Sequence, residues 1–313
     1  ITDFLNAPYD SINYGDPNNM YLNDEVKLFW GDEAIGVLLK GNNIYSPKVN
    51  IINSELLSTE NKLLILAKLQ DWIDKKISND LKPIKESIEE INSSNVRAIV
   101  FNTFNQLGTL IIGSFSSFIK NISDSDKVTI SKLGIRIGAK FFFTPNFLKK
   151  SSIELCAILW KVYNEFSLDS KYPLPKDGRV SFESSVVMPN TYWAAIGYHC
   201  LDNFALRVDV FERIFFLARQ KIKLGPFIES SDMMNPVGCN SDQLKKILIF
   251  CGFSCIELVN EKKLFYFLTK KKLVNKRKII KIKPSKNKKN IPFKKKEIKQ
   301  DPNSPFAVLE KLL

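Results

Sequence analysis

NSDQLKKILIFCGFSCIELVNEKKLFYFLTKK, residues 240–271, carries two periodicities in succession. Its first half places apolar residues at helical spacing around Cys251, whose neighbours mark it as a small buried hydrophobe. Its second half reads as a strand, a charged turn at Asn260 to Lys263 and a returning strand. A helix followed by a hairpin is the closing half of a winged helix, although the leading helices of such a module are not legible in the sequence.

Upstream, YWAAIGYHCLDNFALRVDVFERIFFLARQ (192–220) reads as a strand, a turn at Asp202-Asn203, a returning strand and a helix. Asp209 is placed to cap that helix, with Glu212 three residues on and Arg213 one turn away. His199, the only histidine, falls on the strand before the turn, where a satisfied structural role is expected.

KLGIRIGAKFFFTPNFLKKSSIELCAILWKVY (132–163) begins with alternation. Read as one strand, Ile135, Ile137, Ala139, Phe141 and Phe143 share a face, and Arg136, Gly138, Lys140 and Phe142 share the other. A face of Arg136, Lys140 and Phe142 suits stacking and phosphate pairing with single-stranded nucleic acid, and also suits an ordinary half-exposed strand. A helix over about 151–166 follows Pro145. Nearer the start, VKLFWGDEAIGVLLKG predicts two strands around Gly31-Asp32, with PKVNII a third. Leu66, Leu69, Ile73 and Ile77 predict a helix over about 58–78 capped by Ser58. Pro83 opens a short helix, and another runs from Asn95 to near Gly108.

The fold class expected is therefore α+β: helical segments, short antiparallel strands and hairpins, a winged-helix-like C-terminal part and a basic tail. The expected organisation is a loose lead-in (1–25), a mixed domain (26–167), a linker (168–185), a strand and helix domain (186–269), a Lys-rich tail (270–303) and a short terminal helix (304–313).

The net charge of +13 is concentrated in the tail. Lys270 to Lys299 holds fifteen Lys or Arg against the single acid Glu297, so the rest of the chain is close to neutral. With little apolar surface and strong self-repulsion, this segment is expected to be disordered. Lys276, Arg277, Lys278, Lys281, Lys283, Lys288, Lys289, Lys294, Lys295 and Lys296 are the candidate phosphate contacts, acting through counterion release. Beyond them Ser304 can cap a helix and Pro305 can open it, with Phe306, Leu309 and Leu313 on one face as a partner-docking stripe.

Catalytic chemistry is not written here. Gly31 to Gly36 has phosphate-loop spacing but runs into Val37-Leu38, and no G-x-S-x-G or H-E-x-x-H occurs. Five cysteines at unpaired spacings suit a reducing compartment and lack the usual zinc spacing. Neither a membrane span nor a signal peptide is visible, so a cytoplasmic location is expected, with no membrane partner. The chain begins at Ile1, and the expectation is that it starts inside a longer reading frame.

Four stretches in order, KLGIRIGAKFFFTPNFLKKSSIELCAILW, ALRVDVFERI, MMNPVGCNSDQLKKILIFCGF and DPNSPFAVLEKLL, resemble the C-terminal region of alphaproteobacterial helicases related to the mitochondrial degradosome RNA helicase. The resemblance spans roughly 26–313. It implies two upstream RecA-like motor domains of the DExH type, absent from this chain, which would use ATP and Mg. It also implies RNA, or DNA, as a partner, with an RNA-decay enzyme as another. The expected role is an accessory region that holds or guides the strand for the motor. A self-contained RNA-binding or adaptor module of an RNA-processing assembly is the alternative.

Overall fold

The computed structural model describes residues 20–52, 55, 57–82, 91–115, 122–167, 171–258 and 263–266. Contacts divide the chain into Ile1–Thr269 and Lys270–Leu313, and the described residues all belong to the first unit. Most of the lead-in, the short helix at Pro83, the lysine tail and the terminal helix lie outside them. Among the described residues the fold is α+β, and no helix is long and apolar enough to cross a membrane.

The chain opens with an antiparallel meander: β1 (Met20–Leu22), β2 (Lys27–Trp30), β3 (Glu33–Leu39) and β4 (Lys48–Ile51). β2 and β3 turn at Gly31, whose φ of 58° suits glycine. α1 (Thr59–Leu81) starts where the Ser58 side chain accepts from the Asn61 N–H, and it lays Ile65, Leu69, Ile73 and Ile77 on the sheet. α4 (Lys150–Tyr163) joins the same core, with every residue from Ser152 to Val162 except Glu154 buried.

Between α1 and α4 lies a compact unit. α2 (Ser94–Asn105) leads to β5 (Thr109–Ile111), a 3₁₀ turn (Ile112–Phe115), α3 (Asp124–Lys132), β6 (Arg136–Ile137) and β7 (Phe141–Phe143). The strands form a sheet in the order β5-β7-β6. Its own core comprises Val96, Ile99 and Val100 of α2, Leu110, Ile130, Ile135 and Phe142. Residues 135–143 are therefore a hairpin and not one strand.

After α4 come α5 (Asn190–Ala195) and a sheet of β8 (Ser181–Glu183), β10 (Phe204–Arg207) and β9 (Tyr198–Leu201). YWAA at 192–195, expected as strand, is helical: Tyr192 and Trp193 pack against each other edge to face, and Tyr192 also meets Trp160. Within the stretch expected as a linker, β8 pairs with β10, and Tyr172 and Leu174 pack on the main core.

The final elements are α6 (Val208–Ile222), β11 (Phe227–Ile228), α7 (Ser231–Met234), α8 (Ser241–Phe250), β12 (Ser254–Glu257) and β13 (Lys263–Tyr266). Their sheet runs β11-β13-β12. Helix, strand, helix, helix and hairpin, with the first strand beside the last, is the topology of a winged helix. The leading helices of this module are α6, which the sequence marks as a helix without showing that it belongs here, and α7.

Among the described residues the unit from α2 to β7 follows the same order of helix, strand, capped helix and hairpin, with the 3₁₀ turn Ile112–Phe115 standing where the second unit has α7. In both, the first helix buries residues at i, i+3, i+4 and i+7: Val96, Ile99, Val100 and Thr103 in α2, and Phe211, Ile214, Phe215 and Ala218 in α6. The third helices, α3 and α8, both open with a capping box, Ser123 with Asp126 and Asn240 with Gln243. Each ends at a glycine in the left-handed region, Gly134 at φ 77° and Gly252 at φ 96°. In the sheets, Phe142 pairs with Leu110 and Ile137, and Phe265 pairs with Phe227 and Cys255. The chain thus contains two winged helices in tandem.

Candidate nucleic-acid interface

The hairpin expected to guide a strand is fastened to α6 at its turn. The Glu212 carboxylate accepts the backbone N–H groups of Ala139 at 2.8 Å, Lys140 at 2.6 Å and Phe141 at 2.8 Å. A Cβ on Gly138 would lie 2.4 Å from that carboxyl and 2.7 Å from the Phe141 carbonyl, so glycine is what lets the turn close. The helix cap expected at Asp209 is not made. α6 begins two residues earlier, with Arg207 at the cap position, and Asp209 sits in its first turn holding the Arg207 guanidinium at 2.7 and 3.0 Å.

This geometry separates the three expected contact residues on the hairpin. Arg136 is exposed on β6. Lys140 is half-buried, with Nζ 3.4 Å from the Phe250 carbonyl and 5.4 and 5.8 Å from the ring centroids of Phe215 and Phe250. Phe142 is fully buried in the core of the first winged helix, so its expected role as a stacking surface is corrected. The hairpin turn breaks the alternation assumed for one continuous strand, and the middle residue of a central strand faces its own helices. The tail cations and the stripe of Phe306, Leu309 and Leu313 lie outside the described residues.

In helix-turn-helix modules the later helix reads the groove with its N-terminal residues. Here both such helices start with acids. Asp124 and Asp126 open α3, their carboxyls held below the usual range by hydrogen bonds from Lys127 and Ser123. Asp242 opens α8, held low by the hydrogen bond and charge of Lys263. The lysines of α8 are paired: Lys245 with Glu257 at 2.7 Å and Lys246 with Asp202 at 2.7 Å. Gln243 donates to Glu183 at 2.9 Å, and Phe250 packs tilted against the His199 ring with centroids 4.3 Å apart, so α8 leans on the β8-β10-β9 sheet.

α6 presents a different outer face. Arg213, Phe216, Arg219, Gln220 and Lys223 are exposed and fall within one angular stripe. Among the described residues, Arg213, Arg219 and Lys223 make no salt bridge, and the two acids of the helix, Asp209 and Glu212, are engaged elsewhere. Phe216 is 59% exposed. Arg219 lies 5.8 Å from the Phe215 ring that Lys140 also approaches, which joins the hairpin to the stripe. In the sequence the signal for this face is the recurrence of Arg213, Phe216, Gln220 and Lys223 at three- and four-residue steps, a polar stripe that ordinary solvated helices share.

His199 is buried among Phe141, Phe211 and Phe250, and its Nε2 has no hydrogen-bond partner among the described residues. Burial lowers its pKa to about 4. The hydrogen-bonded place expected for it is not what is found among the described residues. Burial likewise pushes the Cys251 thiol well above its ordinary range. Among the described residues no cluster of three His, Cys, Asp or Glu could hold a metal ion. No family model, no curated protein and no solved structure matches this chain.

Proposed function

We propose that this chain is the nucleic-acid-binding accessory region of an ATP-dependent RNA helicase, holding or guiding the strand for a motor carried on other domains. The observation that carries the reading is the succession of two winged helices and, four residues past the end of β13 at Tyr266, a thirty-residue segment from Lys270 to Lys299 with fifteen cations. The folded body supplies shape, and the lysine segment supplies attraction for phosphates. ATP and magnesium would belong to the motor, since no phosphate loop is present in this sequence.

The test is binding of a single-stranded oligouridylate to the full chain over a salt series, with and without residues 270–299. The intact chain should bind, and the deletion should flatten the dependence of log affinity on log salt, by about 0.7 for each lost phosphate contact. Absence of binding at low salt would overturn the reading.

A further inference from the structure

We infer that the outer face of α6, the first helix of the second winged helix, is the surface of the folded body on which a single nucleic-acid strand lies. The inference rests on the reading just given and adds where and how the strand is held.

The two winged helices supply the comparison. Phe101 and Phe216 occupy the same position, each following the i+4 residue of the buried set matched between the two first helices, Val100 and Phe215. They are 52% and 59% exposed, far more than a core residue requires. Their surroundings differ. On α2, Arg97 stands one turn before Phe101, and its guanidinium donates to the Ile91 carbonyl at 2.7 Å. On α6, Phe216 is flanked by Arg213, Arg219 and Lys223, without a salt bridge among the described residues.

An exposed ring between unpaired cations is the arrangement that binds single strands: bases stack on the ring and phosphates meet the cations. A duplex reader would instead need a free third helix, and α8 is neutralised by Glu257 and Asp202 and packed by Phe250. Charge complementarity therefore selects a polyanion for α6, and the lone exposed ring selects one with unstacked bases.

The experiment uses the full chain and a short oligouridylate. Phe216→Ala should weaken binding roughly five- to hundred-fold through lost stacking, and Phe216→Trp should retain it. Phe216→Leu, which keeps apolar cover but removes the ring, should behave as Phe216→Ala and guards against a misfolded variant. The triple change Arg213→Gln, Arg219→Gln and Lys223→Gln should lower the magnitude of the salt slope by about 2. Phe101→Ala should leave affinity unchanged. If the full chain binds the oligonucleotide and the α6 variants match it in affinity and salt slope, this inference fails while the helicase reading stands. If the full chain does not bind, both fail. If the variants lose binding of polyglutamate and not of the oligonucleotide, the face belongs to an acidic protein partner and the inference is overturned.

Discussion

Gly138 and Glu212 are 74 residues apart, yet a side chain on the first would collide with the carboxyl of the second, which closes the hairpin turn through three backbone hydrogen bonds. This contact ties the sheet of the first winged helix to the first helix of the second. Through Lys140, Phe215 and Arg219 it also ties the hairpin to the cationic face of α6.

Removing the Glu212 carboxylate leaves three N–H groups without their acceptor. Glu212→Ala is expected to cost about 1–3 kcal/mol of stability, and Glu212→Gln less, since one oxygen remains to accept. Gly138→Ala should destabilise as well, because the Phe141 carbonyl cannot retreat without opening the turn. Urea unfolding of the three variants checks this; wild-type midpoints would show that the clamp carries no weight.

His199 makes stability depend on pH with a defined sign. Its folded pKa of about 4 lies below the ordinary 6.5, so between these values the unfolded chain binds the proton first. Stability should fall as pH drops through this window, by at most about 3 kcal/mol from this residue. His199→Phe fills the same space among Phe141, Phe211 and Phe250 without a proton site. Denaturant midpoints compared between about pH 7 and pH 5 should show a flatter profile for the variant. An identical profile would place the acid sensitivity elsewhere.

Phe142 and Phe265 hold the same place in the two sheets, and both are fully buried. Truncating either to alanine should cost about 3–5 kcal/mol by opening a cavity. Strand affinity of Phe142→Ala should then fall only under conditions where the chain unfolds. Weakened binding by a variant with native circular dichroism and an unchanged melting temperature would restore the exposed-face reading of this residue.

The acids around α8 offer a gain-of-binding test. Glu257→Gln with Asp202→Asn would free Lys245 and Lys246 from their partners at 2.7 Å. Affinity for single-stranded RNA should rise, with a salt slope steeper by up to about 1.4. If it does not rise, the lysines of α8 are too far from the strand to matter.

Much of this architecture was legible where local signals sufficed. The β2–β3 hairpin turned where Gly31 marked it, α1 began at Ser58, and the helix and hairpin of 240–266 stood as read. The first winged helix was not legible, because its strands are two or three residues long and its turn is held by Glu212 from another element. Alternation continued across that turn, which imitated one strand and brought Phe142 to the wrong side. The repeat left no obvious trace because its shared features, apolar spacing, a capping box and a terminal glycine, are met by different residues: Val96 against Phe211, Ser123 against Asn240. Arg136 and Lys140 could be named from the sequence because charge alone marks them, while the outward face shared by Arg219 and Phe216 shows only once the helix axis is set.

The central claim is that the tandem winged-helix chain holds a single strand with its lysine segment and the outer face of α6. Photocrosslinking of the full chain to a thiouridine-bearing oligonucleotide, with the attached peptides identified by mass spectrometry, tests it most directly. Attachment is expected within 270–299 and within 213–223, and none on α3 or α8. Attachment concentrated on α3 and α8, or on neither predicted segment, would contradict it.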